Sequence, residues 1–388
     1  MKCDDYVSSA KNCVTILLAL QLNFTLPWNH LRLGNTAMVE VTKEGILLEK
    51  TALDFESHGV LNPAVIREGN TVHLFYRAVK KGNHSTIGYC RLDGPHEIVS
   101  RNTEALISPE FPYEVQGVED PRICLIDDTY YLTYTAYDGI NALGALATSK
   151  DLKQFEKKGI IVPQLSYSEF ETLVRDPGYV NHRYWDFFNP SPCNPEIEVD
   201  HNNLVWDKDV LFFPRRIQGK LHFLHRIKPD IQLVAVNELS ELTPAFWKEH
   251  ISNLEENTIL FPKYEHEINY IGAGAPPIET PLGWLLIYHG VKCTPEGNIY
   301  AACAALLDIH DPKKEIARLP YPLFEPEEEW ELQGEVNNVC FPCGTALFGD
   351  ILYIYYGAAD EQIAYASVSL AELISELKLN TIKDEASN

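Results

Sequence analysis

One pattern recurs five times along the chain. It reads NPAVIREGNTVHLFYRA at 62–78, DPRICLIDDTYYLTYTA at 120–136, FPRRIQGKLHFLHRI at 213–227, APPIETPLGWLLIYHG at 275–290 and FPCGTALFGDILYIYYG at 341–357. Each copy opens with a proline beside a short apolar run. Each turns at a pair: Gly69-Asn70, Asp127-Asp128, Gln218-Gly219, Leu282-Gly283 or Gly349-Asp350. Each returns through a strand dense in aromatic, β-branched or leucine residues. Strand, Gly/Asn/Asp turn, strand is a β-hairpin signal. Most copies begin roughly 60 residues apart, room for two further strands each. Four strands per unit, repeated radially, predict an all-β chain and a five-bladed β-propeller. A β-sandwich is the competing architecture, but it gives no reason for similar residues at the same end of five hairpins.

The longer gap between the second and third copies predicts an insertion within 163–207. Helices are expected to be scarce, with the best candidates short ones near 241–250 (ELTPAFWKEH) and at 370–378 (LAELISELK). Residues 38–388 are read as a single propeller domain and residues 1–37 as an N-terminal extension outside the fold. The apolar run at 14–20 follows Lys2 and Lys11 and outlines a signal segment, but Asp4 and Asp5 interrupt the basic region. A start at Met38 reads like an ordinary cytoplasmic protein, so a cytoplasmic location is expected, with export the alternative if 1–37 is a signal.

The formal charge of −23 and pI near 4.9 disfavour nucleic acid and anionic membrane as partners. No stretch approaches the roughly 20 apolar residues of a membrane-spanning helix. Nine cysteines are too scattered for a disulfide framework, and Cys340-Phe-Pro-Cys343 is expected in a strand core. No metal-ligand spacing accompanies His58, His73, His84 or the HNN at 201–203, so no metal or cofactor is expected.

In a propeller, residues at the start of each inner strand and at the end of its partner converge on one axis. Here these are Asn62, Arg77, Asp120, Arg122, Arg215, His225, Arg226, Tyr288, His289, Tyr356 and Asp360. A central polar pocket is expected. Carboxylates and aromatics in one cleft suit a carbohydrate, and the arginines and histidines add an anion, with phosphate the natural choice. Glu119 and Asp120 are adjacent; in an extended strand they point to opposite faces, so only one can serve the pocket. The plainer alternative is an Asp-Pro turn with Arg122 paired to Glu119.

VEDPR at 118–122, GAPPIETPLGWLLIYHG at 274–290, YIYYGAAD at 353–360, NPA at 62–64 and FYRA at 75–78 resemble the landmarks of glycoside hydrolase family 130. The similarity runs from about residue 45 to 370. The resemblance implies a five-bladed propeller acting on β-mannosides with inversion. Phosphorolysis of terminal β-mannosyl units of manno-oligosaccharides to α-mannose 1-phosphate, with inorganic phosphate as co-substrate, is the leading expectation. An exo-acting β-mannosidase is the alternative, and a non-catalytic carbohydrate-binding propeller the third. The resemblance makes Asp120 the general acid, delivering its proton through the sugar 3-hydroxyl. It suggests Asn62, Arg77, Glu119, Arg122, Asp138, Arg226, His289 and Asp360 as substrate-binding, and Lys208, Arg215 and Tyr288 as phosphate-binding. A hydrolase needs a second carboxylate roughly 6.5–9.5 Å away as base, for which Glu279 or Glu267 are the candidates. Many family members carry a glutamate after the third Phe-Pro, where this chain has Arg215. A homo-oligomer is left open.

Overall fold

The computed structural model describes residues 38–176, 179–180, 184, 200 and 202–382. The expected extension at 1–37 lies outside the described residues, as does part of the 163–207 insertion. The strands fall into antiparallel units, one for each recurring hairpin. β1 (Val41–Leu48) comes first. Unit one is β2 (Gly59–Glu68), β3 (Thr71–Lys80), β4 (His84–Asp93) and β5 (Glu97–Arg101). Unit two is β6 (Gly117–Ile126), β7 (Thr129–Tyr137), β8 (Ala142–Ser149) and β9 (Glu156–Ile160). Then come α1 (Tyr167–Val174) and the short pair β10 (Arg175–Asp176) and β11 (Tyr179–Val180).

Unit three is β12 (Lys208–Phe212), β13 (Leu221–Arg226), β14 (Ile231–Val236) and β15 (Thr258–Leu260). Helices α2 (Pro244–Ser252) and α3 (Leu254–Asn257) lie between its last two strands. In unit four, β16 (Tyr270–Ala273) and β17 (Ile278–Thr280) both pair with β18 (Gly283–Thr294), followed by β19 (Gly297–Leu307) and β20 (Glu315–Arg318). After α4 (Glu329–Leu332), unit five is β21 (Cys340–Phe348), β22 (Ile351–Ala358) and β23 (Gln362–Ser369), with α5 (Leu370–Leu379) beyond it. Its fourth strand is β1, which pairs antiparallel with β23.

Local chemistry explains these elements. Asp127 and Asp128 both take positive φ, 46° and 59°, which a tight two-residue hairpin requires. Gly69-Asn70 and Gly349-Asp350 fill the matching gaps between β2 and β3 and between β21 and β22. The β7 sequence TYYLTYTAY is built of residues that fit a pleated, buried surface. β6 is buried along nearly its whole length, whereas β1 alternates half-buried with exposed positions, the mark of an outer strand. Pro244 opens α2 behind a Thr243 cap, and Ser369 caps α5.

The apolar side chains gather between units rather than in one central core. Ala64, Phe75 and Ile87 meet Val118 and Tyr134 between units one and two. Cys124 and Leu146 meet Phe212 and Phe223 between two and three. Leu211 and Leu224 meet Trp284 and Leu286 between three and four. Leu285 and Ile287 meet Ile354 and Tyr356 between four and five. Tyr355 and Ile363 meet Leu74 and Val60 between five and one. Cys340 and Cys343 are free thiols in β21 and fully buried, so this CxxC is strand core.

Candidate active site

The first strand of each unit breaks register near its start. The break falls between Leu61 and Ala64, Glu119 and Arg122, Lys208 and Leu211, and Pro342 and Gly344. In unit four it is the gap between β16 and β17. Asn62, Asp120 and Asp209 sit at these breaks in the first three units, with φ of 50°, 48° and 54°. Asn and Asp tolerate this left-handed backbone, and a bulge re-aims a side chain out of the sheet. Asp360, in the turn after β22, has φ of 52°.

These four side chains meet in one cleft of about 230 Å³. Arg77 within β3, Lys208 at the start of β12 and Arg226 at the end of β13 line it with them, as does Lys228. Its remaining wall is aromatic and apolar: Trp206, Tyr270, Tyr300, Phe341, Val336 and Val339.

The bulge overturns the expectation that Glu119 and Asp120 face opposite ways. Both reach Arg77: Nη2 lies 2.7 Å from Glu119 Oε1 and Nη1 3.5 Å from Asp120 Oδ1. Asn62 Nδ2 donates to Asp120 Oδ1 at 2.7 Å, and Lys208 Nζ stands 3.9 Å from Asp120 Oδ2. Arg122 does not pair with Glu119. It donates to the carbonyls of Gly274, Asp120 and Pro121 and stands 3.9 Å from Asp209 Oδ1, holding the bulge in shape.

Asp209 joins the other half of the cleft. Its Oδ2 lies 2.7 Å from Arg226 Nη1 and 3.8 Å from His289 Nε2. The first contact is close in charge but short of hydrogen-bond geometry, so both carboxylate oxygens remain without a hydrogen-bond donor. Arg226 Nη1 is also 3.2 Å from His289 Nε2. Buried polar atoms without a hydrogen-bond partner concentrate here: Asn62 Oδ1, Arg122 Nη2, Arg226 Nε and His289 Nδ1 besides Asp209. Such atoms are costly to bury and mark a surface built to receive a polar ligand. Gly272 lets His289 and Asp209 close over it; a Cβ there would sit 2.4 Å from His289 Cε1 and 2.5 Å from Asp209 Oδ2.

The fields pull the cleft's carboxylates apart. Burial raises the Asp120 carboxyl, but Arg77, Lys208, Asn62 and Arg122 outweigh it and hold it at about 2. Burial raises Asp360 to about 6; Asp120 and Glu119 add to the rise, while Arg77 and Lys208 oppose it. Burial, then Arg226 and Lys208, push Lys228 well below the usual lysine range. Burial, then Arg226, Arg122 and Lys228, keep His289 neutral.

Of the residues singled out from the sequence, Asn62, Arg77, Asp120, Lys208, Arg226 and Asp360 line the cleft, and Glu119, Arg122 and His289 stand directly behind it. Five others lie elsewhere. Asp138 accepts from the backbone of Ile140 and Asn141 and shapes the β7–β8 turn. Arg215 is surface-exposed, in a two-pronged pair with Glu279 (2.7 and 2.8 Å) and over the Trp284 ring. The third unit begins at Lys208 rather than at Phe213, so Phe213-Pro214-Arg215 falls at the far end of β12. Tyr288 is fully buried and donates to Glu267, and Tyr356 donates to Glu331. His225 turns outward to Asp207.

Sequence reading missed Asp209, Trp206, Lys228, Tyr270, Tyr300 and Phe341. Asp209 had a signal: an aspartate before an apolar run, as at Asp120. The aromatics had none, since three different units supply them. Among the described residues, His266, Glu267 and Cys303 lie close enough to share an ion. Glu267, however, already accepts from Tyr288, Arg318 and the backbone of Lys263 and Tyr264.

Residues 48–379 match the sequence profile of glycoside hydrolase family 130, described as beta-1,4-mannooligosaccharide phosphorylase. The chain is 33% identical over 342 residues to the 1,2-beta-oligomannan phosphorylase of Thermoanaerobacter sp. (strain X514), covering 84% of this chain and 96% of that one. It is 34% identical over 355 residues to the beta-1,2-mannobiose phosphorylase of the same organism, covering 87% and 96%. The solved beta-1,2-mannobiose phosphorylase of Listeria innocua superposes with a TM-score of 0.64 at 23% identity, over 88% of this chain and 99% of that one. With a profile spanning most of its length and relatives above 30% identity, this chain belongs to glycoside hydrolase family 130.

Proposed function

We propose that the protein is an inverting β-mannoside phosphorylase built on a five-bladed β-propeller. It cleaves terminal β-mannosyl units from manno-oligosaccharides and releases α-mannose 1-phosphate. The propeller reading is supported by five inter-unit cores that run from unit one to unit five and back to unit one, with β1 completing the last sheet.

The observation that carries the activity is the trio Lys208, Arg226 and Lys228 lining the same cleft as Asp120. Basic side chains clustered around a candidate acid suit an anionic nucleophile. The hydrolase reading loses its expected bases: Glu279 is paired on the surface and Glu267 is fully buried in a structural network. The relatives at 33% and 34% identity are named for phosphorolysis of β-1,2-linked mannosides, which makes that linkage the first to test.

In the step we propose, protonated Asp120 gives its proton to the sugar 3-hydroxyl. That hydroxyl passes its own proton to the glycosidic oxygen, and the C1–O bond breaks. A phosphate oxygen forms the new C1–O bond from the opposite face, inverting the anomeric centre. Asp120 is left as a carboxylate held by Arg77 and Asn62. In the unliganded cleft Asp120 is ionised, in part because Lys208 faces it. A phosphate dianion beside Lys208 offsets that charge, raises the Asp120 pKa and returns charge to Lys228. The nucleophile thereby loads the acid. The aromatic wall offers apolar faces to the sugar.

The test is product analysis on a panel of β-mannobioses with and without excess inorganic phosphate. Phosphate-dependent α-mannose 1-phosphate is the expected product. Free mannose at a rate indifferent to phosphate would refute phosphorolysis.

A further inference from the structure

Four of the five units contain the same buried clamp. A glutamate ahead of the unit's first strand accepts from a tyrosine on its second strand and pairs with a cation on its outermost strand. In unit one Tyr76 donates to Glu56 at 2.7 Å, with Arg101 at 2.9 Å. In unit two Tyr134 donates to Glu114 at 2.6 Å, with Lys157 at 2.6 Å. In unit four Glu267 holds Tyr288, with Arg318 at 3.1 Å. In unit five Tyr356 donates to Glu331 at 2.7 Å, with Lys43 of β1 at 2.6 Å. All four glutamates are fully buried.

Unit three departs from this pattern in every member. Asp207 replaces the glutamate, His225 the tyrosine and His250 of α2 the cation. Asp207 Oδ2 is 2.7 Å from His225 Nδ1, and His225 Nε2 is 2.9 Å from His250 Nε2. Asp207 and His225 are fully buried and His250 nearly so. The carboxylate makes Nδ1 the protonated nitrogen of His225. One hydrogen is then shared between its Nε2 and that of His250, so each ring depends on the other. The other oxygen of Asp207 accepts the backbone N–H of Arg226 at 3.1 Å.

Arg226 is thus gripped twice by one stretch of chain. Asp207 holds its backbone, and Asp209 holds its guanidinium at 2.7 Å. Lys208, between them, lines the cleft. In the other units the residue after the clamp tyrosine is Arg77, Thr135, His289 or Gly357, and none of these has its backbone held by its clamp carboxylate. We propose that Asp207, His225 and His250 are positioning residues that aim Arg226 and Lys208 at the anion, a role that rests on the phosphate-cleft reading above. Support of this kind behind a charged ligand-binding group sets its orientation at a distance from the chemistry.

The experiment compares four variants by Tm and by the Michaelis constant for inorganic phosphate. Asp207→Asn offers either nitrogen or oxygen to two N–H groups that both need an oxygen. His250→Phe keeps the aromatic packing against Phe246 and Trp247 but removes the hydrogen-bond partner of His225. Both should raise the phosphate KM about tenfold or more with a smaller change in kcat. His250→Gln retains an N–H donor and should restore KM to within about threefold of wild type. Tyr134→Phe opens an ordinary clamp behind Thr135, which does not line the cleft; it should lower Tm and leave KM alone.

Unchanged KM in Asp207→Asn and His250→Phe, or an equal rise in Tyr134→Phe, overturns the proposal. If Asp207→Asn does not fold, the His250→Phe and His250→Gln pair decides. A wild-type enzyme that forms no mannose 1-phosphate overturns the phosphorylase reading alone. The same variants are then ranked by KM for the β-mannoside, and the positioning role is upheld or rejected on that ranking.

Discussion

Replacing Asp360 by asparagine should stabilise the protein at neutral and alkaline pH and leave it unchanged in acid. Asp360 titrates at about 6 against an ordinary 3.8, with burial the main cause and Asp120 and Glu119 adding to it. Its folded pKa exceeds its unfolded one, so its favourable contribution is complete below the unfolded value and is lost as pH rises through 6. A shift of this size corresponds to about 3 kcal/mol, since one unit is about 1.4 kcal/mol. Asp360 keeps part of its surface open to the cleft, so screening reduces the expected effect to about 1–2 kcal/mol. Asparagine matches the volume, stays neutral at every pH and accepts the left-handed backbone at φ 52°. Urea unfolding at about pH 8, 6 and 4 reads the difference as a change in midpoint at constant slope. The gain should be largest at the highest pH, nearly complete by about 6, about half-developed near 5, and small near 4. No gain at the highest pH, or the same gain at all three, would refute the claim that like charge and burial strain this carboxylate. A cost in activity would accompany the gain if Asp360 holds the sugar, as expected where function maintains a strained group.

Two further substitutions probe the cleft. Asp120→Asn should lower kcat by about 10²–10⁴-fold while calorimetry still detects phosphate and β-mannoside binding; a loss of binding with little change in kcat would contradict an acid role. Gly272→Ala drives a methyl group into His289 and Asp209 and should cost about 1–3 kcal/mol in stability together with most of the activity, measured by unfolding and by product release.

The five hairpins were legible because their signals are local. Asp127-Asp128 and Gly349-Asp350 dictate tight turns, and the flanking residues suit buried strands whatever surrounds them. The third unit was misplaced by five residues because Phe213-Pro214 imitates the proline that opens the other copies, while the true start, Lys208-Asp209, has none. That slip hid Asp209 and promoted Arg215, whose partner Glu279 lies 64 positions along the chain. The clamps were equally hidden: Lys43 and Glu331 meet across 288 positions, and no local pattern encodes their meeting.

Composition and short-range order by themselves determined that the chain is β-rich, that it repeats a hairpin five times, and that Asp120 heads one of those hairpins. Tertiary structure alone decided which face each polar residue serves. A bulge at Glu119–Arg122 turns Asp120 out of the strand alternation, so two neighbours expected on opposite faces share Arg77. Side-chain direction in a regular strand follows from a period of two and can be read from spacing. At a bulge it depends on which partner strand skips a residue, and only the packed sheet supplies that partner.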